Sequence, residues 1–179
     1  MKKITLIFLL ICGYTYSQNL VIESGASLTI EKTGSATVGG NFSNSGTVTM
    51  NSDADEFSAI KISGTANGNI TYNRFVNYAA SGEWDLIGSP VDGLSISAFI
   101  NTNTSGTATL ATNGSAFAVG YYDNSTDTWT NYTTGTVGGA GNFDIGKGYQ
   151  MGTVSGGTQI LAFTGSISSS DETQSIINN

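Results

Sequence analysis

Short units of alternating apolar and polar residues run through the first half of this chain, and they limit what it can fold into. Val21-Ile22, Leu28-Thr29-Ile30, Ala36-Thr37-Val38, Val48-Thr49-Met50, Ile60-Lys61-Ile62 and Ile70-Thr71-Tyr72 recur between turns such as Gly39-Gly40-Asn41 and Asn44-Ser45-Gly46. From Leu28 onward the units begin eight, twelve, twelve and ten residues apart. Strands this short cannot enclose an ordinary sandwich core. They suit a parallel β-solenoid, in which each strand stacks on the next about 4.8 Å away. Gly and Asn would take left-handed corners between them. A meander of short hairpins is the alternative arrangement for residues 18–72.

Residues 73–167 have another rhythm, with longer strands richer in aromatic residues. Trp84 and Leu86 alternate with Glu83, Asp85 and Ile87 and are expected to turn inward. Phe117, Val119 and Tyr121 share one face of the run from Ala116 to Tyr122. Trp129 to Tyr132, Tyr149 to Met151 and Ile160 to Phe163 complete the set. This spacing of strands and turns predicts an antiparallel β-sandwich. Ile100 to Gly114, almost all small and polar, reads as a surface loop around one weak strand. No stretch beyond the leader keeps apolar spacing at three and four residues, so no helix is expected there. The expected class is all-β, a short solenoid or meander followed by a sandwich. The tail, 168–179, ends in Ile176-Ile177 like the start of a further strand, which predicts that the chain is the N-terminal part of a longer polypeptide.

Residues 1–17 read as a secretory signal peptide. Lys2 and Lys3 precede an apolar run from Ile4 to Cys12, and small residues stand at Thr15 and Ser17. The run falls short of the ~20 residues that span a bilayer. Cleavage is expected between Ser17 and Gln18. A lipoprotein anchored at Cys12 is the competing reading, but a lipobox wants a small residue where Ile11 stands. Cleavage would remove the single cysteine, so no disulfide is expected despite an oxidising destination. It would also leave four Lys and Arg against thirteen Asp and Glu, a net charge of −9. That balance argues against nucleic acid or an anionic membrane as partner, since both need clustered cations. Only 11% of the chain is charged, against about 25% in ordinary globular proteins. Ser, Thr, Asn and Gly must keep it soluble, as in a β-protein with neutral polar faces.

The chain contains no histidine. Ser-His-Asp and Cys-His catalysis and most zinc sites are thereby excluded. Gly141 to Gly148 approaches a phosphate-binding loop, but Gly148 stands where that loop needs Ser or Thr, and a strand follows instead of a helix. A tight turn is the expected role. Glu83 and Asp85 would point to one face of a strand, which does not flank a sugar from both sides as glycosidase carboxyls do. Two acidic turns offer oxygens that could bind calcium, with ordinary polar turns built on Asx side chains as the alternative: Asp53, Asp55 and Glu56 in the first, Asp123 and Asp127 in the second. Calcium takes six to eight hard oxygens from such groups. Tyr121, Tyr122, Trp129 and Tyr132 flank the second turn. Half of them must face the core of a hairpin. Tyr122 and Tyr132 are expected to be the exposed rings, and Tyr122, Trp129 and Tyr132 are the candidate ligand-binding residues, for sugar faces above all. Arg74 is expected either to pair with Asp85 or Asp92 or to be exposed.

The run from Gly25 to Ser52 resembles the N-terminal repeats of large surface proteins of the Bacteroidota. The stretch from Trp84 to Pro90 (Trp-Asp-Leu-Ile-Gly-Ser-Pro) and Gly146 to Tyr149 (Gly-Lys-Gly-Tyr) are similar to the β-rich module that follows such repeats, and Thr-Tyr-Ser-Gln is similar to their cleavage sites. The resemblance covers most of the chain after residue 17, through motifs that are structural. It implies export, often by type IX secretion, and a secreted or cell-surface role in adhesion or polysaccharide handling. Surface glycans or other extracellular proteins would be the partners. Such proteins usually end in a C-terminal sorting domain, and no such segment is visible here. No catalytic residue carries over, so the expected protein is a non-enzymatic structural or adhesive module, with a carbohydrate-binding module as the alternative.

Overall fold

The computed structural model describes residues 18–106, 109–168 and 173. Residues 1–17, where the signal peptide and its cleavage site at Ser17 are expected, and all residues beyond Ser168 except residue 173, lie outside them. The described chain is all-β apart from one α-helix and two short 3-10 turns. In the first region β1 (Leu20–Ile22), β2 (Ser27–Ile30) and β3 (Ser35–Val38) are followed by β4 (Phe42–Asn44), β5 (Thr47–Asn51) and β6 (Ala59–Ile62), then by β7 (Ala66–Asn67) and β8 (Asn69–Phe75). Consecutive strands do not pair, as they would in a meander. Instead β1, β4 and β7 form one parallel ladder, β2, β5 and β8 a second, and β3 and β6 a third. The chain therefore returns over itself at intervals set by the register: Ser27 lies beside Thr47, and Phe42 beside Ala66.

Parallel stacking in register puts like on like. Leu28 lies beside Val48, Ile30 beside Met50, Ala36 beside Ile60 and Val38 beside Ile62. Each coil thus buries its apolar residues against the next, which a two-strand hairpin of the same length could not do. The corners depart from expectation. Among the described residues no asparagine adopts a left-handed backbone; Gly25, Thr33 and Gly68 do so in this region. Asparagine instead bonds through its side chain. Asn19 Oδ1 accepts the Asn41 N–H at 2.8 Å, and Asn41 Oδ1 accepts the Thr65 N–H at 2.9 Å, one coil further on.

The second region holds β9 (Asp85–Gly88), α1 (Ile96–Thr104), β10 (Thr112–Asn113), β11 (Ala116–Asp123), β12 (Thr128–Thr133), β13 (Gly148–Met151) and β14 (Ile160–Ser166). β11 is the centre of an antiparallel sheet. It pairs with β12 and β13, and β13 pairs with β9. β14 leaves this sheet and runs antiparallel to β8 over seven residue pairs. β8 itself runs across the boundary expected between residues 72 and 73. One core joins the two regions: Phe42, Val48, Met50 and Ile70 belong to the same cluster as Phe99, Val119, Tyr149 and Phe163.

Expectations fail at α1 and at β9. α1 occupies residues where no helix was expected, and Ile100 to Thr104 is its C-terminal half rather than a surface loop. Ser95 caps the helix by accepting the Ala98 N–H at 3.1 Å. Ile96, Phe99, Ile100 and Asn103 are buried at helical spacing. A polar residue at the last of these positions, in a helix of nine residues rich in Thr, Asn and Ser, conceals the pattern. Trp84 and Leu86 are 37% and 66% exposed, and Ile87 turns inward in their place. Asp85 faces the backbone: its two oxygens accept the Asn77 N–H at 2.9 Å and Asn77 Nδ2 at 3.0 Å. Among the described residues no helix is long and apolar enough to cross a membrane.

Candidate functional site

The faces of the antiparallel sheet divide its aromatic residues. Side chains at paired positions share a face, and neighbours along a strand alternate. Leu86, Gln150, Gly120 and Asn131 lie side by side across four strands, and Tyr122 pairs with Trp129 two residues on. This face is the outer one. Tyr122 is 39% and Trp129 44% exposed, with ring centroids 5.3 Å apart and edge to face. Gly120 keeps the face flat, since a Cβ there would lie 2.5 Å from Asn131 Oδ1 and from the Thr130 carbonyl.

The opposite face carries Tyr121, Tyr132 and Tyr149. Tyr132 is not the exposed ring expected from its place in the hairpin: it is 9% exposed. Its ring lies 5.5 Å from that of Tyr121. Burial pushes its phenol up to about 12, helped by Tyr149, Tyr121 and Asp144 nearby. Tyr149 is anchored in the core, edge-on to Phe143 at 4.9 Å, and Phe143 meets Phe99 at 5.2 Å. Burial raises the Tyr149 phenol as well, and its oxygen accepts the Asp144 N–H at 3.0 Å.

At the edge of this face the sheet and the segment 136–147 enclose a cleft of about 370 Å³. Tyr121, Tyr132 and Tyr149 form one wall; Asn142, Asp144 and Lys147 approach from the segment. Lys147 Nζ sits 5.4 Å from the Tyr121 ring centroid, 5.5 Å from that of Tyr149 and 3.4 Å from Asp144 Oδ2. The glycine-rich run that superficially resembled a phosphate loop is thus the rim of this cleft. Left-handed Gly141 and Gly146 make its turns, and β13 follows instead of a helix. The signal for the cleft was legible only in part. Tyr121 and Tyr132 stand among the aromatic residues that flank the second acidic turn, and Tyr132 is a candidate, whereas Tyr149 falls in an expected strand and Asp144 and Lys147 in the glycine-rich run.

Carboxylates of each acidic turn are taken up by nearby partners. Among the described residues no three carboxylates, histidines or cysteines converge. Asp53 Oδ1 accepts the Asp55 and Glu56 N–H groups at 3.1 and 2.9 Å, its other oxygen meets Lys32, and Glu56 stands 3.5 Å from the same ammonium. The Lys32 hydrogen bond holds the Asp53 carboxyl below its ordinary range. In the second turn Asp123 accepts the Ser125 N–H and hydroxyl at 2.9 and 2.6 Å, which lowers its pKa. Asp127, with φ of +57°, accepts the Tyr122 hydroxyl and raises that phenol. Arg74 pairs with neither proposed carboxylate; its guanidinium lies 4.3 Å from the Phe57 ring centroid.

Fold and cleft together define an all-β protein with an aromatic outer face and a tyrosine-walled polar cleft. No protein family, characterised protein or solved structure matches the chain.

Proposed function

We propose that the chain is an exported, non-enzymatic β-module that works as a structural and adhesive segment at the outer cell surface or in the extracellular medium. The observation that carries this reading is the outer sheet face. Trp84, Leu86, Tyr122 and Trp129 are exposed there beside the amides of Asn131 and Gln150. Large apolar groups grouped on one surface mark a contact site more often than scattered ones do. Parallel ladders bonded coil to coil make a stiff support for such a face. The partners would be surface glycans or other extracellular proteins, and weak contacts would gain from repetition along a longer polypeptide.

Export is tested by N-terminal sequencing of the protein recovered from the medium or envelope, expected to begin at Gln18. Adhesion is tested by retention of labelled protein on cell envelopes and insoluble polysaccharides. Replacing Leu86, Tyr122 and Trp129 by Ser is expected to reduce retention about tenfold, and unchanged retention would sink the reading. A carbohydrate-binding module is the second reading, favoured by the paired Tyr122 and Trp129 rings, which offer a platform for a sugar face.

A further inference from the structure

The tyrosine cleft lies on the other side of the sheet from Tyr122 and Trp129. Its volume of about 370 Å³ sits near the lower end of small-molecule sites, roughly 300–1,000 Å³. Three features define what fits. The Tyr121 ring, half-buried, offers an apolar face at the wall, and its neighbours Tyr132 and Tyr149 are fixed by burial. Asn142, Asp144 and Lys147 bring donors and acceptors to the same space, with Lys147 Nζ 5.4 Å from the Tyr121 ring centroid and the Asp144 N–H bonded to the Tyr149 hydroxyl. The two charges of the cleft are paired with each other, 3.4 Å apart.

These features sort the ligand classes. An apolar ligand would bury the Asp144–Lys147 pair and the Asn142 amide without replacing their hydrogen bonds with water, which is costly. An anion would compete with Asp144 for Lys147 in a chain of formal net charge −7. A cation would meet that ammonium across the Tyr121 and Tyr149 rings. A neutral, hydroxyl-rich ring meets none of these penalties: its C–H groups would meet tyrosine carbon beside the Lys147 ammonium, and its hydroxyls both donate and accept. We infer that the cleft between Tyr121 and Asn142 binds a neutral saccharide, with Tyr121 as its apolar wall and Asn142, Asp144 and Lys147 as the hydroxyl-reading groups. The inference deepens the carbohydrate reading by placing a site on the inner face, and it does not use the outer rings.

The test is isothermal titration of protein purified after expression of the full chain. The probes are cellohexaose, mannohexaose, xylohexaose and, as the anionic counterpart, hexagalacturonate. At least one neutral hexasaccharide is expected to bind. Tyr121→Leu and Asn142→Ala are each expected to weaken it by about tenfold or more, about 1.4 kcal/mol, with far-UV circular dichroism unchanged. Tyr122→Ala and Trp129→Ala are expected to change it less than about twofold. The surface substitution Asn142→Ala keeps the test valid if Tyr121→Leu disturbs the fold. Absence of neutral binding up to about 10 mM, or tighter binding of hexagalacturonate, would overturn the inference. Loss in Trp129→Ala with retention in Tyr121→Leu and Asn142→Ala would also overturn it, while leaving the carbohydrate reading in place on the outer face.

Discussion

Asn103 is the residue on which the second region turns. It is buried, yet all of its amide is used: Nδ2 donates to the Phe99 carbonyl at 2.9 Å and the Ala162 carbonyl at 3.0 Å, and Oδ1 accepts the Ala162 N–H at 2.8 Å. It thereby ties α1 to β14. Asn103→Leu would strand both backbone groups of Ala162, so a loss of about 3 kcal/mol is expected in urea denaturation. Tyr132 gives a pH signature at the same scale. Its phenol is raised in the folded chain to about 12, against about 10 for a free tyrosine. The unfolded chain therefore ionises first as pH rises. Stability is fully present below about pH 10 and is lost as pH climbs toward 12. Tyr132→Phe is expected to flatten this alkaline decline in denaturation curves, whereas an unchanged slope would assign the decline to other groups. None of this could be read from sequence, because an asparagine in a polar run and a tyrosine in a hairpin have many other uses.

Among the elements, the strands with two or more apolar residues were legible, and those with fewer were not. β2, β3, β5 and β6 coincide with the alternating units read from the chain. β4 contains a single apolar residue, Phe42, and β7 none larger than alanine, so period-two alternation had nothing to register. Phe42 is nevertheless 1% exposed, between Leu20 of the coil before and Ala66 of the coil after. Phe42→Ala is expected to lower stability by about 3–5 kcal/mol in chemical denaturation. The turn before β8 is equally constrained. Gly68 has φ of +95°, and a Cβ there would lie 2.1 Å from the Asn44 carbonyl oxygen. Gly68→Ala is expected to cost at least about 2 kcal/mol by the same measurement. A substitution at Gly114, with φ of +59° but open space around it, should cost less.

For the whole molecule, β14 decides how the parts combine. It comes from the end of the antiparallel region, pairs along β8, and places Leu161 and Phe163 in the shared core. The two regions should therefore unfold together. Differential scanning calorimetry is expected to give one transition, and Phe163→Ala should move it down as a single peak; two separable transitions would refute this coupling. Chain order alone favours two successive domains, because the rhythm changes near residue 73 and nothing local announces a pairing across almost a hundred residues (Asn69 with Ser166).

The sequence by itself determined the class. Alternating short apolar units, turns built on glycine and the absence of histidine fix an all-β chain without histidine chemistry, since period, turn conformation and ionisable groups are local properties. The tertiary structure decided what is non-local: which strands lie side by side, which way Trp84 and Leu86 point, where a nine-residue helix becomes worth forming, and which tyrosines share a cleft. Each depends on burial against residues far away in the chain, and a side chain on a strand can meet either face until its partners across the sheet choose one.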